Sequence, residues 1–297
     1  MKNKKLIYIA GPTAVGKTRL SVELAKHYQT DIISCDSRQF YKEMKIGIAV
    51  PTLEEMGGVT HHCVQHLSIS EPYSVGDFEN EALSVLEELF KEKDLVFMVG
   101  GSGLYADAVM HGLDQFPPIP NEIREQIQFF YTSHGIESLQ ELLRENDPKH
   151  YSRVDRDNPK RLMRALEVCL ASGKPYSSFL GQPKAERPFE SKVIILHCPR
   201  TVLYERINSR VLEMIDAGLE EEVESLKEYR ELNALKTVGY NEFFKYFDGT
   251  LSLDECIAEI QKNTRRYAKR QITWFKRYDE GFIFPNNTPI DQFFEYI

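Results

Sequence analysis

The sequence predicts an α/β protein with a doubly wound parallel sheet and an inserted all-helical domain. Two observations predict it. Short apolar runs, at residues 6–10, 31–35, 95–99 and 193–197, alternate with segments of helical periodicity at 17–28, 77–92, 103–111, 201–231 and 252–276. Near-continuous apolar runs are what parallel strands covered on both faces require, and strand–helix alternation builds such a sheet. Between Phe116 and Pro188 the pattern changes: helical periodicity at 121–134, 137–145 and 158–172 is broken by no strand candidate. That segment opens on Pro117-Pro118-Ile119-Pro120 and closes on Gly181-Gln182-Pro183. The expected organisation is therefore a core of 1–115 with 189–297, and a helical insertion over 116–188.

The first strand candidate runs straight into Gly11-Pro12-Thr13-Ala14-Val15-Gly16-Lys17-Thr18. Two glycines followed by Lys and Thr at a strand-to-helix corner form a phosphate-cradling loop, so the core is expected to be P-loop NTPase-like. Backbone N–H groups of the loop and of the helix N-terminus make an anion site. Lys17 is expected to reach the terminal phosphates and Thr18 to hold Mg²⁺. The loop leaves open which phosphate compound binds.

Composition narrows the class. No apolar run approaches the ~18 residues of a membrane span. Met1-Lys2-Asn3-Lys4-Lys5 leads directly into the first strand, so a cytoplasmic location is expected. The cysteines at 35, 63, 169, 198 and 256 are scattered and odd in number, which argues against a disulfide framework or a Cys-based zinc site. With 37 basic against 45 acidic residues the net charge is −8, which by itself disfavours a nucleic-acid partner. The charge is polarised, however. From Gln261 to Tyr278 there are seven basic residues and no acidic one, interleaved with Tyr267, Trp274 and Phe275. Basic and aromatic residues together suit single-stranded or loop RNA, or equally a helix docked by its aromatic face with solvated cations. The acidic run from Glu213 to Glu231 reads as a solvated helix face.

In a doubly wound sheet the ligand sits at the carboxyl ends of the strands. After 31–35 comes Asp36-Ser37-Arg38-Gln39. Asp36 there is a magnesium-organising acid, a general base beside the phosphates, or a cap of the next segment. After 95–99 come Gly100-Gly101-Ser102-Gly103, where ATP-splitting relatives of this fold carry a magnesium-binding Asp. Its absence weakens an ATPase reading. The glycines permit close approach of a bulky ligand, or open a helix capped by Ser102. Arg206 and Arg210 share a helix face; they either clamp a diphosphate or pair with Glu205 and Glu213. His61-His62-Cys63 and His66 lack a second ligand cluster and read as a structured loop rather than a metal site.

Together these pieces resemble the tRNA dimethylallyltransferases, in their bacterial form. The resemblance rests on the order of motifs: 11–18, Asp36-Ser37-Arg38-Gln39, Gly100–Tyr105, Asn158–Glu167, Arg206-Ile207-Asn208-Ser209-Arg210, Val238-Gly239-Tyr240 and Lys269–Phe275. It implies that dimethylallyl diphosphate is the phosphate compound and that its prenyl group moves to N6 of the adenosine 3′ of the anticodon. It implies catalytic roles for Asp36, Lys17, Thr18 and Arg210, with Asp36 as base, and diphosphate contacts from residues 11–18 and Arg206. Contacts to the tRNA anticodon stem-loop are implied for Asp36, Ser37, Arg38, Gln39, Ser102, Arg124, Lys160, Arg161, Arg164, Thr237, Gly239, Tyr240, Lys269, Arg270, Gln271 and Trp274. The expected metal is Mg²⁺ at Thr18, the expected assembly a monomer, and no membrane partner is expected. Rival readings are an isopentenyltransferase acting on free AMP, ADP or ATP, a P-loop small-molecule kinase, and a non-catalytic RNA-binding or GTPase-like switch.

Overall fold

The structure is a computed structural model and describes residues 4–182 and 186–297. It divides into two compact units, one of residues 1–111 with 187–297 and one of residues 112–186.

The larger unit is built in chain order from β1 (Lys5–Ala10), α1 (Lys17–His27), β2 (Ile32–Ser34), α2 (Leu53–Met56), β3 (His61–His62), α3 (Val75–Leu89), β4 (Leu95–Gly100) and α4 (Gly103–His111). The smaller unit contributes α5 (Asn121–Asn146), α6 (Pro148–Tyr151) and α7 (Pro159–Ser172). The larger unit then resumes with β5 (Glu190–His197), α8 (Arg200–Asp216), α9 (Leu219–Ser225), α10 (Tyr240–Phe247), α11 (Leu253–Phe275) and β6 (Phe282–Pro285). The six strands form one sheet in the order β3-β2-β4-β1-β5-β6, with every neighbouring pair parallel.

β1 shows why the sheet is covered on both faces. Leu6, Tyr8 and Ala10 enter one core with Phe78, Ala82 and Val109. Ile7 and Ile9 enter another with Leu24, Leu203 and Ile207. Alternate side chains of a strand point to opposite faces, so a strand apolar at every position needs helices on both sides. The chain leaves β1 for β2 on one side and reaches β5 on the other, which makes the carboxyl end of β1 the topological switch point.

The expected elements differ from those observed in identifiable places. The strand expected over 31–35 is shorter, Ile32–Ser34, and Asp36 lies two residues beyond its carboxyl end. The single helix expected over 201–231 is broken at Ala217-Gly218, where Gly218 adopts φ +95°, and continues as the short α9. Two strands went unread: β3 has two residues, too few for a period, and β6 pairs β5 through partly exposed positions. The helices expected over 121–134 and 137–145 form α5, interrupted at Gly135 with φ +79°. The smaller unit buries Ile127, Leu139, Leu143, Leu162, Ala165 and Leu166 as its own core. No helix among the described residues is long and apolar enough to cross a membrane.

Candidate active site at the carboxyl end of the sheet

The turn from β1 into α1 has the form of an anion cradle. Gly16 precedes α1 in the left-handed region, with φ +105°, and no side chain caps the helix N-terminus. The first amides of α1 therefore keep their N–H groups for a ligand, at the positive end of the helix dipole. Gly11 is required by close packing: a Cβ there would lie 2.9 Å from the Leu196 carbonyl oxygen. Lys17 Nζ donates to the carbonyls of Gly11 and Pro12, each at 2.9 Å, which holds the ammonium inside the turn. Burial, with Arg210 nearby, brings Lys17 down to about 8, against the opposing pull of Asp36. Val15 directs its side chain into the core, so its share in any phosphate contact is its backbone.

Asp36 follows β2 and lines the same cleft of about 1050 Å³ as Thr13, Lys17 and Thr18. Its Oδ1 accepts the Arg38 N–H at 2.9 Å. Burial raises its pKa above the ordinary carboxylate value, while the amides of Arg38 and Gln39 and the charges of Lys17 and Arg38 hold it back. The next residue is pinned as well, since the Ser37 N–H donates to Ser102 Oγ at 3.0 Å.

The glycines after β4 serve the protein's own packing rather than a bulky ligand. A Cβ on Gly100 would lie 1.8 Å from the Cys35 carbonyl oxygen, one on Gly101 1.9 Å from Gln271 Nε2, and one on Gly103 2.1 Å from the Trp274 ring. The turn after β4 thus seats β2 on one side and α11 on the other. Gln271 completes the arrangement: its Oε1 accepts the Thr13 N–H at 2.9 Å and its Nε2 donates to the Gly101 carbonyl at 3.0 Å.

Arg206 and Arg210 occupy the cleft face of α8. Arg206 is exposed, with Nη1 3.5 Å from the Val15 carbonyl. Arg210 is half-buried; burial lowers its pKa, and Glu55, Glu213 and Asp36 oppose that shift. Neither arginine forms a salt bridge to Glu205 or Glu213 among the described residues.

Several expected RNA contacts are committed inside the protein. Tyr240 is fully buried and its hydroxyl donates to Glu222 at 2.5 Å. Gln271 is 5% exposed and is occupied as described. Gln39 accepts the Ser34 hydroxyl and donates to the carbonyls of Ile48 and Ala49. Gly239 is buried, its N–H donating to Glu242 at 2.8 Å. Of these four, Gln39, Gly239 and Gln271 also line the cleft, while Tyr240 lies fully buried behind it. Lys269 and Arg270 are exposed on α11, with Arg270 over the Tyr267 ring at 5.6 Å. Trp274 is half-buried beneath Arg277, at 4.6 Å. Thr237 lines the cleft. In the smaller unit Arg124, Lys160 and Arg161 are exposed, while Arg164 lies over Phe116 and faces Glu167 at 3.6 Å.

Tyr267 went unremarked as a site residue. It lines the cleft with Ile260, Thr264 and Gln271, and the spacing of these four along one helix face was the available signal. Glu222 was also missed, hidden in an acidic run. The histidine loop is structural: His61 Nδ1 meets the Val59 carbonyl at 2.9 Å, His62 pairs with Asp31 at 2.9 Å and His66 with Glu81 at 2.9 Å. No cluster of His, Cys, Asp and Glu suited to a metal ion occurs among the described residues.

A glycine-rich turn at the switch point, with a half-buried carboxylate and two arginines in the same cleft, defines a P-loop-like α/β protein. A family model described as IPP transferase matches residues 39–278. A tRNA dimethylallyltransferase of Flavobacterium psychrophilum is 53% identical over 298 residues, covering 98% of this chain and 97% of its own length. One of Christiangramia forsetii is 51% identical, with 98% and 97% covered. Among solved structures, the full-length tRNA isopentenylpyrophosphate transferase of Bacillus halodurans is similar at TM-score 0.73 and 37% identity, over 99% of this chain and 94% of that one. A eukaryotic dimethylallyltransferase acting on tRNA is similar at TM-score 0.83 and 26% identity, over 98% and 75%. The chain belongs to the IPP transferase family.

Proposed function

We propose that this chain transfers the dimethylallyl group of dimethylallyl diphosphate to N6 of the adenosine 3′ of the anticodon in tRNA, releasing diphosphate. The observation that carries the reading is the placement of Asp36 in the cleft of the phosphate cradle, pinned by the Arg38 amide and flanked by the Ser37–Ser102 bond. Such a carboxylate stands where a nucleophile brought to the donor loses its proton.

The adenine amino group is a weak nucleophile because its lone pair is delocalised into the ring. As its nitrogen bonds to the allylic carbon, the carbon–oxygen bond to diphosphate breaks and the N6 proton becomes acidic. Asp36 takes that proton. The negative charge that collects on diphosphate meets Lys17, the amides at the start of α1, Arg206 and Arg210, placed before the reaction begins. Thr18 lines the cleft and offers a hard oxygen, which fits Mg²⁺, an ion held by one or two protein oxygens together with substrate phosphates. Bound there, Mg²⁺ would neutralise charge on the diphosphate.

The acceptor base must leave its stack to reach Asp36, at a cost of a few kcal/mol. Ser37 and Arg38 stand beside it, while Ser102 is held against the Ser37 amide. Lys269, Arg270 and Trp274 on α11, Thr237, and Arg124, Lys160, Arg161 and Arg164 of the smaller unit are the proposed contacts to the anticodon stem-loop. Incubation with dimethylallyl diphosphate, Mg²⁺ and unmodified tRNA, followed by nucleoside mass spectrometry, tests the reading. Isopentenyladenosine in tRNA is expected; prenylation of free AMP alone, or none, would overturn it.

A further inference from the structure

Within the acidic run of α9, Glu222 does not sit on a solvated face. Its Oε2 accepts the N–H groups of Lys45 and Ile46 at 2.9 and 2.8 Å, and its Oε1 accepts that of Gly47 at 3.0 Å. The Tyr240 hydroxyl donates to the same Oε1 at 2.5 Å. From the other side, Gln39 Nε2 donates to the carbonyls of Ile48 at 3.3 Å and Ala49 at 2.9 Å. One side chain thus accepts the amides of residues 45–47 and another donates to the carbonyls of 48 and 49. Gly47 packs so tightly that a Cβ would lie 2.6 Å from the Tyr240 ring and 3.0 Å from Leu219. Ala49 is held at φ +52°, a conformation that costs a non-glycine residue energy and persists only when the surroundings impose it.

The clamped segment faces the cleft. Gly47, Ile48 and Ala49 line the cleft that contains Lys17 and Asp36. Along α8 the same cleft changes character. Arg206, near the Val15 carbonyl, is followed at four-residue steps by Arg210 and Met214. Eight residues of helix carry the wall roughly 12 Å from the cationic end to an apolar one. There Met214 is joined by Val211, Val238 and Ile48. A donor anchored by its diphosphate in the cradle extends its hydrocarbon along this gradient, because apolar surface gains by leaving water for apolar walls.

We infer that Glu222, together with Tyr240, is a positioning residue that fixes the 45–49 segment as the apolar wall limiting the hydrocarbon length of the allylic diphosphate. The inference rests on the donor chemistry proposed above. Glu222→Gln retains one acceptor oxygen for Lys45 and Ile46 but turns an amide N–H₂ toward the Gly47 N–H, loosening the wall without emptying the site.

The test measures binding of dimethylallyl diphosphate, geranyl diphosphate and inorganic diphosphate by calorimetry, with steady-state kinetics, on wild type, Glu222→Gln and Tyr240→Phe. Wild type is expected to prefer the five-carbon over the ten-carbon compound. In Glu222→Gln that preference falls by about tenfold, through tighter binding of geranyl diphosphate while KM and kcat for dimethylallyl diphosphate change little, as loss of shape selection in an apolar pocket predicts. Tyr240→Phe moves it less, in the same direction. Affinity for inorganic diphosphate stays unchanged in both. An unaltered length preference in a variant whose melting curve matches wild type overturns the inference, as does parallel loss of inorganic diphosphate binding or a wild type that does not discriminate. Length-selective donor binding without transfer to tRNA would leave the wall intact and remove the acceptor reading instead.

Discussion

Gln271 holds Thr13 from 258 residues away in sequence, accepting its amide N–H at 2.9 Å while donating to the Gly101 carbonyl at 3.0 Å. The phosphate loop and the turn after β4 are therefore joined through one side chain of α11. Gln271→Ala leaves the buried Gly101 carbonyl without a partner, at a cost of about 1–3 kcal/mol, and releases the part-buried Thr13 amide. Urea denaturation should show a loss of that order, and KM for the donor should rise because Thr13 is released. Gln271→Glu keeps the acceptor for Thr13 but sets a carboxylate against the Gly101 carbonyl, so it should be no better tolerated than Ala. Wild-type stability and donor KM in both variants would refute the brace.

Asp36 and Lys17 give the reaction opposite pH limits. Asp36 accepts a proton only when ionised, so kcat/KM should rise as pH climbs through its pKa, which burial places above the ordinary carboxylate value. Lys17 is lowered to about 8, so on the alkaline side it loses its charge and the donor its anchor. A bell-shaped profile in kcat/KM for the donor is expected, its alkaline limb near the Lys17 value. Asp36→Asn should lose about 10²–10⁴ in turnover and the acid limb with it, while tRNA still binds. Lys17→Arg should move the alkaline limb upward, since a guanidinium does not deprotonate in this range. Full turnover by Asp36→Asn would remove it as the base.

The parts of this site legible in the sequence are those carried by local pattern. The loop at 11–18 announces itself through spacing, and Asp36 through its place after an apolar run. The parts that stayed hidden depend on contacts remote in sequence. Nothing near Gln271 signals that it meets Thr13 and Gly101, and nothing in a Glu-rich helix marks Glu222 as the acceptor for the amides of Lys45, Ile46 and Gly47. The glycines at 100, 101 and 103 were legible as close approach, but not as approach to Cys35, Gln271 and Trp274. β3 escaped notice because parallel pairing with β2 fixes its two residues, not any period of its own.

Gly100 tests the seam between β2 and β4. A Cβ there would lie 1.8 Å from the Cys35 carbonyl oxygen and 2.4 Å from its carbon, both backbone atoms that no side-chain rotation can clear. Gly100→Ala must therefore push the two strand ends apart, and Asp36 moves with Cys35. Overpacking of this kind costs typically 1–3 kcal/mol or more. Thermal melting should drop by several degrees, and turnover should fall further than stability alone explains. Gly249→Ala is the control: it has φ +71° but open space around its Cβ, so backbone strain should destabilise it without selective loss of activity. Equal activity losses at matched stability would argue that Gly100 does not position Asp36.

Lys269 and Arg270 are neighbours on α11 with different surroundings, and salt should separate their roles. Lys269 is exposed, and a phosphate contact from it releases condensed counterions, so log affinity for tRNA should fall linearly with log salt. Lys269→Ala should lower that slope by about 1 and weaken all substrate tRNAs alike. Arg270 lies over the Tyr267 ring at 5.6 Å and lines the cleft with Asp36. A guanidinium stacked on an aromatic ring at that position is suited to a flipped base as much as to a phosphate. Arg270→Lys keeps the charge and loses the plane, so it should leave the salt slope near wild type while lowering kcat. If wild-type affinity is flat with salt, α11 does not track the tRNA backbone. If Arg270→Lys is fully active, the stacked guanidinium does not handle the acceptor base.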